Sequence, residues 1–191
     1  MTRKSEAGSR SVTSRRQRTV SSETSRPNTE QSRAINELKS ILRHHPLVIL
    51  GVGSELRGDD AWTYHLVERI KKSKPKDVHC IWGSTMPENF VKPISSLSPS
   101  AVLICDSADF GATPGSYNVF SARDITDESA FTHRMPLRMM AHEIEERAKC
   151  PVFFLFVQPK NIEFSDELTP IVRNSLDKIA HIMLDALAAA Q

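Results

Sequence analysis

The stretch at residues 47–64 constrains the fold most, because an apolar run, a glycine-bearing turn and an amphipathic segment follow one another directly. The apolar run at 47–50 is too short for a helix and predicts a buried strand over 47–51. Two carboxylates, Asp59 and Asp60, stand where the next helix is predicted to open. In an open α/β sheet, ligands bind just beyond the carboxyl ends of the strands. This turn is therefore the first candidate for a functional site.

The rest of the chain alternates short apolar runs with segments of helical spacing. Further strands are predicted at 78–82, 101–105, 117–120 (an edge strand) and 152–157, and helices at 33–44, 59–71, 87–96, 136–149 and 169–190. Ser32 is expected to cap the first helix. Strands that alternate with helices predict an α/β fold of three layers, α/β/α, with helices on both faces of a mostly parallel five-stranded sheet.

The basic charge of the chain is concentrated in its first 33 residues. Of 25 Lys and Arg and 23 Asp and Glu, this segment holds eight bases and three acids, which leaves 17 bases and 20 acids for the remainder. A basic-protein argument for nucleic-acid binding fails on that split. Thirteen of the 33 residues are Ser or Thr, which predicts a disordered tail at 1–31 and one domain at 32–191. The composition also fits an organelle transit peptide, although Glu6 and Glu23 count against it.

The cysteines and the hydropathy indicate a reducing, aqueous setting. Cys80, Cys105 and Cys150 form no C-x-x-C pair, and the first two lie inside apolar runs. There a reduced thiol acts as a small hydrophobic side chain. No disulfide framework is expected, and the default location is the cytoplasm. No apolar run approaches the ~20 residues that a membrane helix requires, so we expect no membrane partner.

The glycines after the first strand do not fit a nucleotide site. Gly53-x-x-x-x-Gly58 has the glycine spacing of a phosphate-binding loop, but Asp59 and Asp60 stand where its lysine and hydroxyl should follow. Two carboxylates would repel phosphates. The dinucleotide fingerprint fails as well, because Gly51-x-Gly53 lacks a glycine three residues on.

Three side chains are candidates for chemistry, and each also has a structural explanation. Helix capping accounts for one carboxylate of the Asp59–Asp60 pair, and we expect Asp59 to be the cap; two carboxylates at one helix start leave a functional role open for Asp60. Asp106 directly follows a predicted buried strand, where turn formation is as common a role as catalysis. His133 lies in a predicted loop, where a lone histidine is usually solvated. The residues alone leave these alternatives open.

The order of the sequence motifs resembles the hydrogenase maturation endopeptidases, which trim the C-terminal extension from the large subunit of nickel–iron hydrogenases. The likeness covers roughly 47–187 and is greatest to the branch that serves the formate hydrogenlyase system. Its motifs are Gly53-Ser54-x-x-x-Gly58-Asp59-Asp60, Gly83-Ser84-x-x-Pro87-Glu88-Asn89, Leu103-Ile104-x-Asp106-x-x-Asp109-x-Gly111, Pro114-Gly115, Thr132-His133-x-Met135-Pro136-Leu137, Gln158-Pro159 and Leu168-Thr169-Pro170. Each motif is weak alone, but this order and spacing is specific.

The resemblance implies a metal site and a substrate-facing loop. In that family an acidic residue after the first strand, an Asp after a later strand and a loop His hold a metal, which implies Asp60, Asp106 and His133 as ligands here. Oxygen and imidazole donors suit nickel or zinc, and three protein ligands leave positions open for a substrate. Gly83 and Ser84 correspond to a loop that binds substrate.

The implied activity is that of a metal-dependent endopeptidase acting on the nickel-loaded large-subunit precursor, whose own nickel is the expected cofactor. Asp60 and Asp106 are the expected catalytic residues, which orient a water or take its proton; which of them acts as the base stays open. We expect a monomer with this precursor as its partner.

Two departures from the family pattern keep other functions open. Ser54 replaces a usual asparagine, and Trp82 stands where a glycine commonly precedes Gly83. The altered loop at Trp82 favours an alternative, a nickel-dependent checkpoint protein that binds the precursor without cutting it. A general hydrolase on the same fold is a further alternative, because fold does not fix function.

Overall fold

The computed structural model of the protein describes residues 29–123, 125 and 135–190. Within these ranges the helices are α1 Thr29–Ile41, α2 Trp62–Ser73, α3 Val91–Ser96, α4 Met135–Ala148 and α5 Pro170–Ala189. The strands are β1 Leu47–Val52, β2 Val78–Ser84, β3 Ala101–Ser107, β4 Tyr117–Ser121 and β5 Val152–Val157. Two 3₁₀ turns, Gly58–Ala61 and Pro87–Phe90, lead into α2 and α3.

The described strands form one sheet in the order β2-β1-β3-β5-β4. All neighbours pair in parallel except β4 and β5, which pair antiparallel. The edge position predicted for β4 is confirmed. β2 lies on one side of β1, and β3, the next strand in the chain, lies on the other side. The strand order therefore reverses between β1 and β3, which is where open α/β sheets place their ligand sites.

Helices cover both faces of this sheet, as the alternation of strands and helices predicts. On one face α1 and the turn after it, α2 and α5 pack over the sheet through Leu38, Leu42, Trp62, Leu66, Ile70, Val172 and Leu176, all at most 1% exposed. On the other face α3 and α4 contribute Val91, Ile94, Met140, Ala141 and Ile144. β1 and β3 are buried along their whole length, because both of their faces are covered.

The boundaries differ from the sequence prediction where tertiary contacts decide them. β3 runs two residues further than predicted and includes Asp106, because its end pairs with β5 through Asp106 and Phe156. The first helix begins at Thr29, so Ser32 lies within α1 and does not cap it. Residues 1–28 of the predicted disordered tail at 1–31 lie outside the described residues, and residues 29–31 belong to α1, so the domain begins earlier than residue 32.

The three cysteines are free. The prediction of a core position is confirmed for Cys105, whereas Cys80 is only partly buried. Cys105 is fully buried in β3 and Cys150 is 6% exposed. Burial raises the pKa of the Cys80 thiol to about 11, and it also raises the pKa of Cys105. In the part of the chain that the structure describes, no helix is long and apolar enough to cross a membrane.

Candidate functional site

The carboxyl ends of β1 and β3 carry two of the predicted site residues. Asp60 lies in the 3₁₀ turn that follows β1, and Asp106 is the penultimate residue of β3. β1 and β3 are parallel neighbours, with Gly51 opposite Cys105, so both carboxylates lie at the same edge of the sheet. They lie where the strand order reverses, between β1 and β3.

Asp60 is fixed by the turn that leaves β1. The Ser54 N–H donates to Asp60 Oδ2 at 2.8 Å. Gly53 has φ +142°, and a Cβ there would lie 2.5 Å from Asp60 O and 3.2 Å from Asp60 Cγ. Only glycine permits this approach. The Ser54 departure is therefore tolerated at this contact, because the backbone of residue 54, not its side chain, makes the bond to Asp60.

Asp106 is a buried carboxylate inside a strand, with 5% of its surface exposed. Its Oδ1 accepts a hydrogen bond from the Ser107 N–H at 2.7 Å. The Ser107 hydroxyl donates to the Asp59 carbonyl at 3.4 Å, which joins the end of β3 to the turn that carries Asp60. Asp106 therefore lies within β3, paired with Phe156 of β5, and not in the turn after the strand.

Asp59 is not a helix cap, and this expectation is wrong. The 3₁₀ turn shows no side-chain cap, and the Asp59 carboxylate turns to a segment about a hundred residues away. It is fully buried and accepts four hydrogen bonds, from Lys160 N (2.8 Å), Asn161 N (3.0 Å), Thr169 N (2.7 Å) and Thr169 Oγ1 (3.0 Å). Asp59 therefore ties the β1 turn to the segment between β5 and α5.

His133, the third expected metal ligand, lies outside the described residues. Among residues 29–123, 125 and 135–190, no three His, Cys, Asp or Glu side chains are grouped so that they could hold a metal ion. Asp60 and Asp106 thus supply two oxygen donors at this edge, and a complete ligand set requires a donor from elsewhere, such as His133.

Gly83 and Ser84, the expected substrate-binding residues, form the end of β2 beside the same turn. Gly83 is buried, and a Cβ on it would meet Leu50 Cδ1 at 2.9 Å. Ser84 is exposed, has φ +52°, and accepts a hydrogen bond from the Gly53 N–H at 3.0 Å. The Trp82 ring packs edge to face on Tyr64 of α2, with the centroids 5.4 Å apart.

Gln158 shapes the loop after β3, a role that its motif did not reveal. Its side chain is 7% exposed, and Oε1 accepts from Phe110 N at 2.9 Å and from Ala112 N at 3.3 Å. Its Nε2 donates to Asp109 Oδ1 at 3.2 Å. Gln158 thereby closes the loop that begins just beyond Asp106. An uncharged polar residue directly after an apolar strand was the available signal.

Comparisons with known proteins show which family the chain resembles. The sequence profile of hydrogenase maturation proteases matches residues 64–186, a range that includes Asp106 and begins just after Asp60. The chain is 29% identical over 133 residues to the hydrogenase 3 maturation protease of Escherichia coli, which covers 69% of this chain and 85% of that protein.

Solved structures share the fold. The crystal structure of a nickel–iron hydrogenase maturation protease from Thermococcus kodakarensis superposes with a TM-score of 0.74 at 27% identity, over 80% of this chain and 99% of that one. The solution structure of an Escherichia coli endopeptidase gives a TM-score of 0.62 at 27% identity, over 71% and 86% of the two chains.

Proposed function

Because the chain belongs to the hydrogenase maturation protease family, we propose that it is the endopeptidase that removes the C-terminal extension from a nickel-loaded large-subunit precursor of a nickel–iron hydrogenase. The observation that carries the proposal is the pair of carboxylates, Asp60 and Asp106, at the strand ends where the sheet order reverses. Two acidic side chains at this edge suit a cation and a reacting water better than a phosphate.

We assign Asp60, Asp106 and His133 as the ligands that meet the nickel carried by the precursor. Carboxylate and imidazole donors are competent for nickel, and three of them leave coordination positions to the substrate. A nickel ion held by Asp60, Asp106 and His133 would supply Lewis acidity for the scissile carbonyl or for a water.

The protein supplies position and proton transfer. One oxygen of each carboxylate is held by a backbone N–H, Ser54 N for Asp60 and Ser107 N for Asp106. Groups fixed in this way lose little freedom when substrate binds, and they can orient a water or take its proton. The exposed Ser84 at the end of β2 would contact the peptide being cut. We expect the enzyme to act as a monomer in the cytoplasm.

The alternative, a checkpoint protein that binds the precursor without cutting it, depended on Trp82. In the structure Trp82 packs on Tyr64, and Gly83 keeps its close contact with β1. The packing therefore offers no reason to prefer the non-cleaving function.

Purified protein incubated with nickel-loaded and nickel-free precursor, followed by mass measurement of the product, tests the proposal. We expect the nickel-loaded precursor alone to lose the mass of its extension. Binding without a change in mass would support the checkpoint function. Cleavage of both forms would contradict recognition of nickel.

A further inference from the structure

An exposed apolar patch lies next to the candidate site. Leu56, Ile162 and Phe164 are 54%, 46% and 83% exposed, and they define what we call the apolar patch. Single exposed apolar side chains are ordinary on a protein surface. Here three lie on two segments that pair through a parallel bridge between Arg57 and Ser165, beside the candidate site, which makes them a candidate surface for a partner.

The two segments that carry the apolar patch are fixed to each other. The Ser165 N–H donates to the Leu56 carbonyl at 3.0 Å, and Gly58 N–H donates to the Ser165 carbonyl at 2.8 Å. The Arg57 Nε donates to the Ile162 carbonyl at 3.1 Å. A surface that is ordered before it binds loses less conformational entropy on association.

The apolar patch and the site share one turn of the chain. Ser54, whose N–H holds Asp60, is two residues from Leu56, and the buried Asp59 carboxylate fixes Lys160 and Asn161 just before Ile162. A polypeptide extended from the site would reach the apolar patch within a few residues, at roughly 3.3 Å per residue.

The charges around the apolar patch indicate what kind of segment would dock there. Its two segments, 54–58 and 160–167, expose four carboxylates and two cations. The carboxylates belong to Glu55, Glu163, Asp166 and Glu167, and the cations to Arg57 and Lys160. The excess of negative charge favours a partner with positive charge beside its apolar side chains.

We propose that the apolar patch is the docking surface for the large-subunit precursor, and that it binds an apolar segment flanked by Lys or Arg next to the bond that is cut. Phe164 is its central contact. This inference rests on the proposed function, since the precursor is the partner, and it adds how the partner is selected.

Truncation of Phe164 tests the docking surface. We expect Phe164→Ser to raise both the Kd for the precursor, measured by calorimetry, and the KM for its cleavage by about tenfold, as for a central interface residue. The kcat should stay within about twofold, and the thermal midpoint should be unchanged, because the side chain is mostly exposed. Met139→Ser is the matched control: Met139 is 65% exposed on α4, away from the apolar patch, and should leave Kd and KM unchanged.

The carboxylates around the apolar patch allow an independent test of the same proposal. The double variant Glu163→Gln, Glu167→Gln should weaken precursor binding at low salt and should flatten the dependence of Kd on ionic strength. An unchanged salt dependence would overturn the basic-flank part of the proposal.

The outcomes separate docking from cleavage. If the precursor binds and is cut by both wild type and Phe164→Ser with equal Kd and KM, the docking proposal is wrong and the proposed function stands. If wild type binds but does not cut, and Phe164→Ser weakens binding, the docking surface is supported and the proposed protease function is wrong. A fall in kcat alone, with Kd unchanged, would also overturn docking at Phe164.

Discussion

At the scale of single residues, neighbouring aspartates at one turn have different tasks. Asp60 is partly exposed and lies at the sheet edge, whereas Asp59 is fully buried and accepts four hydrogen bonds from the segment before α5. Asp106, on the neighbouring strand, is the second carboxylate of the site. One residue of separation thus divides a proposed chemical role from a structural one.

The first prediction concerns Asp59. Asparagine keeps one acceptor oxygen, but its NH2 group replaces the second one and cannot accept a hydrogen bond. Some of the buried donors around residue 59 would therefore lose their partner. Hydrogen bonds to charged groups and unpaired buried donors each count for about 1.5–3 kcal/mol, so we expect Asp59→Asn to lower the free energy of unfolding by about 3 kcal/mol in urea titration. A helix cap would cost only about 1 kcal/mol. Asp77→Asn, an exposed matched substitution, should leave the stability unchanged.

The second prediction concerns the proposed ligands. Asp60→Asn, Asp106→Asn and His133→Ala should each abolish cleavage of the precursor, measured by product mass, and should keep the circular dichroism of the wild type. Asp77→Asn is again the control, because the Asp77 carbonyl binds the Leu47 N–H at the amino end of the sheet, remote from the site. Full activity of His133→Ala would remove the third ligand from the assignment.

At the scale of elements, the turn after β1 positions Asp60. The backbone of Gly53 packs directly against Asp60. Gly53 adopts φ +142° against Asp60, and its N–H joins β1 to the end of β2 through Ser84. The same turn is bonded to the segment after β5. Three strand ends are thereby held in one arrangement.

The third prediction separates backbone strain from displacement of the site. Gly53→Ala places a Cβ 2.5 Å from Asp60 O, whereas Gly111→Ala, also at positive φ (+74°), meets nothing within 4 Å. We expect Gly53→Ala to reduce kcat by about a hundredfold, the scale for a displacement of about 1 Å at a reacting group. Gly111→Ala should lose stability through strain and keep its activity. Equal kcat for the two variants would show that strain alone matters.

The fourth prediction concerns Cys105, which is buried within β3. Burial raises its pKa above the ordinary value of 9.0, so the folded state holds the thiol proton more tightly than the unfolded state. Stability from this group is present below about pH 9 and is lost as pH rises. Cys105→Ala should therefore be less stable at pH 7, through lost packing, and should lose less further stability than wild type between pH 9 and 10.5. Both slopes are measured by urea denaturation. Loss of metal binding in this variant would indicate a thiolate ligand instead.

At the scale of the whole molecule, the candidate site lies where the sheet order reverses, and segments far apart in sequence surround that edge. β1, β3 and the segment after β5 meet there through Asp59, Ser107 and Thr169. α1, α2 and α5 bury one face of the sheet, and their side chains form the core on which this edge rests.

The fifth prediction concerns the amino-terminal region. The core of the domain includes Ala34, Leu38 and Leu42 of the first helical segment, which are at most 1% exposed. A chain that begins at Thr29 should therefore keep the thermal midpoint and the cleavage rate of the full chain. A chain that begins at Pro46 lacks these side chains and should be much less stable. A large loss of stability on removal of residues 1–28 would contradict the prediction.

The sequence alone was sufficient for the elements and for the placement of Asp60 and Asp106 at one edge of the sheet. Apolar runs and helical spacing are local properties, so β5 is found at its predicted bounds and the other elements within a few residues. Asp60 and Asp106 were candidates because each stands at or near the carboxyl end of a buried strand, and parallel strands bring such ends to one edge. The resemblance of the motifs to the family, and not their position alone, favoured them over turn or cap residues.

Tertiary structure decided the hydrogen-bond partners of the buried polar groups. Asp59 was predicted to cap a helix because its sequence neighbours permit that, yet its donors come from residues 160–169. Gln158 binds a loop nearly fifty residues earlier, and β3 continues past its apolar run because β5 lies beside it. A buried polar atom must find a partner wherever the fold supplies one. That partner is set by packing between distant segments, which local sequence patterns do not encode.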